Sequence, residues 1–318
     1  MRSRSRLPVS EPMAFRIDKL VVVGVGLIGG SCALALRATD TVGMIVGVGR
    51  GRANLDDALR LGIVDRATTL TDDWAAEGAD ADVVLLAAPV AQYPALLRAL
   101  SHRIGKRTIV TDAGSTKQDV IAAARAALGA AFARFVPGHP IAGTENTGAS
   151  AALATLFRDR TVVLTPLAET DDGATTDVAA MWQACGARIR TLDAAQHDHI
   201  FAAVSHLPHL LAFALVDELA ARADAADMFE FAASGFRDFT RIAASSPEMW
   251  RDVSLANRDA LLAEVAAFRT QLDRLAAALA ANDGASLEAA FARAAEARRA
   301  WGSEHPSIAV AADAARER

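Results

Sequence analysis

The sequence predicts an α/β chain in which a doubly wound, mostly parallel sheet is followed by an all-helical domain. Three observations carry this. From Ile17 to about Thr191, short apolar strand-like runs alternate with helical stretches. Those runs are continuously apolar instead of alternating, which suits strands buried on both faces. After about Asp193 the strand-like runs stop, and Ala- and Leu-rich helical patterns continue to Trp301.

The first element is a β-branched run, Val21 to Val23, inside a strand over Leu20–Val25. It leads into Gly24-Val25-Gly26-Leu27-Ile28-Gly29, and a helix over Leu27–Arg37 begins at once. Strand, glycine turn and helix start together read as the opening crossover of a Rossmann-type dinucleotide-binding sheet. Gly24 permits the tight turn. Gly26 lets a pyrophosphate approach the backbone, and Gly29 lets the helix pack close to the strand. The anion then meets unpaired N–H groups at the positive helix end. Further strands follow at Met44–Val48, Val83–Ala88, Thr108–Thr111, Arg134–Val136, Thr161–Thr165 and Arg188–Thr191. Helices are expected at Leu55–Leu61, Val90–Leu100, Lys117–Leu128 and Asp177–Cys185. In the second half, Phe201, Val204, Leu207 and Leu211 have helical spacing, as do Leu261, Val265, Phe268, Leu272 and Leu275. Asp283-Gly284 is a helix break.

A chain of 318 residues suits two domains, since one usually takes ~100–200. We expect a disordered tail over 1–15, a dinucleotide-binding domain over 16–193, a helical substrate and dimerisation domain over 194–302, and a tail over 303–318. The start, with Arg2, Arg4 and Arg6, lacks the apolar core of a targeting peptide. A net charge of −5 disfavours nucleic-acid binding, which needs a basic face. No apolar run in the sequence reaches the ~18 residues of a membrane span, so no membrane role is expected. Cys32 and Cys185, far apart in sequence, fit a reduced, cytoplasmic protein better than a disulfide framework.

Chemistry-bearing residues gather where strands end. Ala88-Pro89 closes one strand, and Asp112-Ala-Gly-Ser115-Thr-Lys117 closes the next. Gly138-His139-Pro140-Ile-Ala-Gly143-Thr144-Glu145 presents an imidazole from a constrained loop. His197, His199, Ser205, His206 and His209 open the helical half, and the stretch from Phe236 to Arg251 follows. His139 can accept a proton near neutral pH, Ser115 can donate and accept hydrogen bonds, and Arg241 can hold a carboxylate by two parallel bonds. Beside a nicotinamide these three make a dehydrogenase site. The plainer alternatives are that His139 caps its loop, that His199 and His206 lie on a helix surface, and that Arg237 and Arg251 pair with neighbouring aspartates. Asp112 reads as a turn-former ordering the Ser115 loop. The histidine group lacks an acidic partner at a known metal spacing, so no metal site is expected.

Five ordered motifs resemble the prephenate dehydrogenase family, which includes arogenate and cyclohexadienyl dehydrogenases. They are GVGLIGGS at 24–31, DAGSTK at 112–117, GHPIAGTE at 138–145, VSHLPH at 204–209 and GFRDFTRIA…MWRD at 235–252. The resemblance, running from about 17 to 300, implies NAD(P)-dependent oxidative decarboxylation of prephenate to 4-hydroxyphenylpyruvate in tyrosine biosynthesis, by a homodimer joined through the helical domain. It implies that His139 polarises the ring hydroxyl, that Ser115 bridges this hydroxyl and the nicotinamide, and that Arg241 binds a substrate carboxylate. It also implies that His197, Ser205, His209, Thr144 and Glu145 line the pocket, and that Trp250 extends to the neighbouring subunit's pocket. Gly24, Gly26, Leu27, Ile28, Gly29, Ala88, Pro89 and Ser115 then fall to the cofactor. The chain departs from the usual NAD pattern at the second strand, which ends Gly47-Val48-Gly49-Arg50-Gly51-Arg52 with no carboxylate for the ribose. Arg50 or Arg52 could take a 2′-phosphate, so NADP is expected to be tolerated beside NAD. No regulatory domain is expected after Trp301, nor a fused mutase before Ile17. Hydroxyacid-type dehydrogenases with a lysine in the helical half fit less well, because Lys19, Lys106 and Lys117 are the only lysines. A non-catalytic nucleotide sensor would not need Ser115, His139 and Arg241 together.

Overall fold

A computed structural model describes residues 15–144 and 146–304. The expected tails fall outside these residues, except Phe15 and the pair Ser303 and Glu304, which end the last helix; Glu145 also lies outside. The first half alternates β1 (Ile17–Val23), α1 (Leu27–Ala38), β2 (Val42–Gly49), α2 (Arg52–Arg60), β3 (Arg66–Thr69), β4 (Val83–Leu86), α3 (Tyr93–Ser101), β5 (Ile109–Asp112), α4 (Gln118–Leu128) and β6 (Phe135–Val136). These strands form one six-stranded sheet in the order β3-β2-β1-β4-β5-β6, and every pairing is parallel. The apolar runs explain the layering. Leu20 and Val22 join one core with Leu36, Phe157 and Trp182, while Val21 and Val23 join another with Tyr93, Leu97 and Phe135. Successive side chains of β1 from Leu20 to Val23 thus feed cores on opposite faces, so this part of the strand must be apolar at every position.

The strands expected after Val136 leave this sheet. β7 (Gly138–Pro140), β8 (Thr161–Leu164) and, after α5 (Asp172–Ala184), β9 (Arg188–Thr191) form a separate three-stranded sheet, with β7 antiparallel to β8. Pro137, which has no N–H to give a ladder, separates β6 from β7. The helix expected at Asp177 starts at Asp172, because the Asp171 side chain caps it by accepting from Ala174 N at 2.7 Å. Cys32 and Cys185 are free and buried, and their sulfurs stand 3.9 Å apart between α1 and the end of α5.

The second half is helical: α6 (Ala194–Phe201), a π turn over Ala202–His206, α7 (Leu207–Ala220), α8 (Ala225–Glu230), α9 (Ser234–Thr240), a 3₁₀ turn at Arg241–Ala244, α10 (Pro247–Ala256), α11 (Arg258–Ala280) and α12 (Gly284–Glu304). By compactness the chain divides after Leu261. In the second unit, Asn282 at φ +51° and the Asp283 side chain, which accepts from Ser286 N, break the helix where Asp283-Gly284 predicts it. From α6 through α7 the helix is continuous over 27 residues, Ala194–Ala220, and by length and composition is long enough to cross a membrane. Its apolar stretch is broken by Ser205, His206, Pro208 and His209, so no uninterrupted apolar run of that length is present in it. This helix carries most of the site described next.

Candidate active site

The glycine turn is built as its spacing demands. Gly24 has φ +103°, and a Cβ there would lie 2.5 Å from Ala87 O. A Cβ on Gly29 would lie 2.2 Å from Gly24 O, so α1 can cross β1 this closely only without a side chain. A Cβ on Gly26 would meet nothing within 4 Å. The space over Gly26 is open, no side chain caps α1, and its first turn holds no acid. The amides of Leu27, Ile28 and Gly29 therefore form an uncapped, positive helix end. Ala88 and Pro89 follow the end of β4, whose Ala87 amide donates to Val23 O at 2.7 Å. This cradle fits a dinucleotide pyrophosphate. Asn54, on α2, steadies it: its amide nitrogen donates to Val25 O at 2.7 Å, and its Oδ1 accepts from Ala149 N at 2.8 Å.

Asp112, at the end of β5, is fully buried and does more than order a turn. Its carboxylate accepts from Gly114 N at 2.7 Å and Gly138 N at 3.0 Å, and from the Lys117 ammonium, which also donates to Gly138 O at 2.6 Å. These bonds lock the Ser115 loop to β7 and so fix the backbone of His139.

His139 is buried with its Nδ1 2.8 Å from His197 Nε2. His197 Nδ1 lies 2.8 Å from Asp198 Oδ1, and Asp198 accepts amides of Lys117 (2.8 Å) and Gln118 (2.9 Å) at the start of α4. The Phe201 ring packs on both imidazoles, at 4.8 and 4.5 Å. Burial, then the neighbouring His197 and Lys117, holds the His139 pKa well below the ordinary 6.5, so the ring is a neutral base at pH 7. Burial also lowers His197, against the pull of Asp198. Burial works against the charge of Asp198, but hydrogen bonds from His197, Gln118 and Lys117 outweigh it and hold the pKa below the usual range.

Contacts continue to the other expected residues. Asn257 donates to Asp198 O at 2.7 Å and lies 3.1 Å from His206 Nδ1. His206 borders the backbone of Ser115 and stands edge-on to Trp250, 6.1 Å between centroids. Trp250 stacks on His209 at 3.5 Å and 19°. His209 Nδ1 donates to Ser205 O at 2.9 Å, and the Arg241 charge lies close enough to lower its pKa, after burial. Contacts thus run from His139 through His197, Asp198, Asn257 and His206 to Trp250, His209 and the Ser205 carbonyl, with the Ser115 backbone and the Arg241 charge close by.

Two expectations change. His206 is 1% exposed, not a surface residue, and burial pushes its pKa down to about 4; His199 is exposed as expected. His197 is fully buried with both ring nitrogens engaged, so it stands behind His139 instead of lining a pocket. Thr144 is exposed, and its hydroxyl accepts from Asn146 N at 3.3 Å. Arg50 pairs with Glu248 of α10 at 3.2 Å and Arg52 with Asp56 at 3.0 Å, all exposed. Arg251 pairs with Asp252 as expected. The sequence reading missed Asn54, Asp198 and Asn257, and named Lys117 within the DAGSTK run without a role of its own. Only Asp198 left a signal, as the acid inside His-Asp-His.

Comparison with known proteins follows the same division of the chain. Residues 32–191 match the family model "Prephenate dehydrogenase, nucleotide-binding domain", and residues 193–293 match "Prephenate dehydrogenase, dimerization domain". A cyclohexadienyl dehydrogenase of Zymomonas mobilis is 35% identical over 288 residues, covering 90% of this chain and 97% of its own. A prephenate dehydrogenase of Bacillus subtilis is 35% identical, covering 81% of this chain and 69% of its own. A crystal structure of prephenate dehydrogenase from A. aeolicus in complex with hydroxyphenyl propionate and NAD+ superposes with a TM-score of 0.83 at 34% identity, over 92% of this chain and 99% of that one. Synechocystis arogenate dehydrogenase superposes with a TM-score of 0.73 at 29% identity, over 89% and 99%.

Proposed function

The chain belongs to the prephenate dehydrogenase family, and on that premise we propose that it oxidatively decarboxylates prephenate to 4-hydroxyphenylpyruvate in tyrosine biosynthesis, using NAD or NADP. The observation that carries this reading is the chain of contacts from His139 through His197, Asp198, Asn257 and His206 to Trp250 and His209, with the Ser115 backbone beside His206 and the Arg241 charge near His209. It unites a neutral base, a hydroxyl and a guanidinium, as a hydroxy-diacid requires. When bound, a nicotinamide dinucleotide would supply the hydride acceptor, and Gly24, Gly26, Leu27, Ile28, Gly29, Ala88 and Pro89 would hold it.

The chain's own groups do the rest. Ser115 orients the ring hydroxyl, and Arg241 anchors a carboxylate. Ser205, His209, Thr144, Glu145 and Trp250 complete the pocket. His139 takes the hydroxyl proton as hydride leaves the same carbon. The carbon–carbon bond to the ring carboxylate then breaks, its electrons aromatise the ring, and CO₂ departs. The ring oxygen recovers a proton from His139. Alignment and one reversible proton transfer are all the protein must supply.

Arg50 and Arg52, with no acid at the end of β2, support tolerance of NADP. We also take 16–193 as the cofactor domain and 194–302 as the substrate and dimerisation domain of a homodimer. Its two free, buried thiols support a reducing, cytoplasmic setting.

The test is an assay of purified protein with prephenate and arogenate, each with NAD and NADP, followed by the absorbance of the reduced cofactor. Prephenate turnover is expected. In His139→Asn, nucleotide binding should persist while turnover falls at least ~10³-fold, within the range of lost base catalysis. Unchanged turnover in that variant, or none with either substrate in the wild type, overturns the reading.

A further inference from the structure

The bonding behind His139 has a direction. The amides of Lys117 and Gln118 can only donate, and both donate to Asp198 at the positive end of α4. Asp198 is therefore held as a carboxylate, and His197 Nδ1 must be the donor to it. That leaves the neutral His197 with a lone pair on Nε2, so His139 must present Nδ1–H to it. The lone pair of His139 is thereby placed on Nε2, which receives no hydrogen bond from any described residue.

We propose that Asp198 and His197 are positioning residues that fix His139 as the Nδ1–H tautomer and hold charge for it. When Nε2 of His139 gains the substrate's hydroxyl proton, its Nδ1 proton moves to Nε2 of His197, whose imidazolium then lies against the Asp198 carboxylate. This rests on the reading of His139 as proton acceptor. Each transfer breaks one N–H or O–H bond and makes one N–H bond, and no electrons leave the chain of atoms. All of it runs backward when the ring oxygen recovers its proton as CO₂ leaves.

The surroundings suit holding a proton, not exporting it. His197 is 0% exposed and Asp198 2%. Phe201 covers both imidazoles. The proposed reaction neither consumes nor releases a net proton at the hydroxyl, so an exit to solvent is unnecessary. The groups facing the pair are Lys117, Asp112, His206 and Asp198. Lys117 opposes charge on both rings, but only His197 has a carboxylate in contact. The contact with Asp198 therefore makes His197 the place for the charge.

The test reads tautomers first. Full-length protein labelled with ¹⁵N-histidine, examined by long-range ¹H–¹⁵N correlation at neutral pH, should show both His139 and His197 as Nδ1–H. An Nε2–H tautomer at either position overturns the proposal. A second variant separates orientation from proton holding. In His197→Gln the carboxamide oxygen still accepts the His139 Nδ1–H but cannot take up a proton. We expect kcat to fall about 100-fold, the lower part of the range for proton-transfer catalysis, with KM for prephenate changed less than about twofold. An unchanged kcat overturns the holding role. Absence of any turnover in the wild type counts against the proposed function, whereas the tautomer spectra decide the chain of imidazoles by themselves.

Discussion

Gly26 and Gly29 stand three residues apart and meet opposite surroundings: open space at one, the Gly24 carbonyl at the other. Their alanine variants should therefore fail differently. Gly29→Ala forces a side chain against backbone, and overpacking of this kind costs about 1–3 kcal/mol or more, read as a lowered melting temperature. Gly26→Ala should melt within about 1 °C of wild type, since nothing is struck. Its dissociation constant for NAD should rise about tenfold or more in calorimetric titration, because the new methyl occupies the approach to the helix end. Equal melting losses in both variants would contradict this division. These glycines were legible in the sequence because each answers a local backbone demand, fixed by its spacing from strand and helix. His206 and His197 were not, because whether an imidazole is buried depends on what Asn257, Trp250 and His139 bring from distant positions. Asp112 was half legible: its bond to Gly114 is local, but its bond to Gly138 crosses from β5 to β7.

The continuous helix from α6 to α7 carries His197, Asp198, Ser205, His206 and His209, and its π turn sets where the last three lie. A 3.6-residue period predicts a helix here but not the widened turn, so the facing of Ser205 and His206 was beyond a periodicity argument. The three-residue strand β7 escaped for a related reason, being too short to show any period. The helix also predicts how stability depends on pH. His206 titrates near 6.5 when unfolded and at about 4 when folded. Between those values the unfolded chain binds more protons, so acidification favours unfolding. The His206 contribution should be flat above pH 6.5, fall from 6.5 toward 4 and level off below, up to about 3 kcal/mol being lost through it alone. His139 and His197, also lowered, add in the same direction. Urea midpoints at pH 7.5, 5.5 and 4.5 should descend in that order, and a midpoint rising toward pH 5.5 would contradict the buried neutral imidazoles.

Across the whole chain, the order of a wound sheet followed by helices was readable from composition alone, because burial on both faces demands unbroken apolar strands. The second sheet was not, since nothing local tells β8 and β9 which neighbour they will pair with. Leu262, Leu272 and Leu279 of α11 are 59, 48 and 66% exposed, a row of large side chains left facing outward by a single chain. The proposed homodimer predicts that a partner covers this row, so Leu272→Glu with Leu279→Glu should raise the dimer dissociation constant about 100-fold or more, two buried charges each costing over 1 kcal/mol. Sedimentation at micromolar protein should then show monomer, and an intact dimer would remove α11 from the interface.

Asn54 ties together two segments far apart in the chain. The same carboxamide grips the carbonyl of Val25 beside the cofactor turn and the amide of Ala149 beyond the His139 loop. A side chain with both ends committed cannot yield at one without tugging the other. Replacing Asn54 by Ala should therefore loosen the glycine turn and the Ala149 segment together, read as faster amide exchange in both.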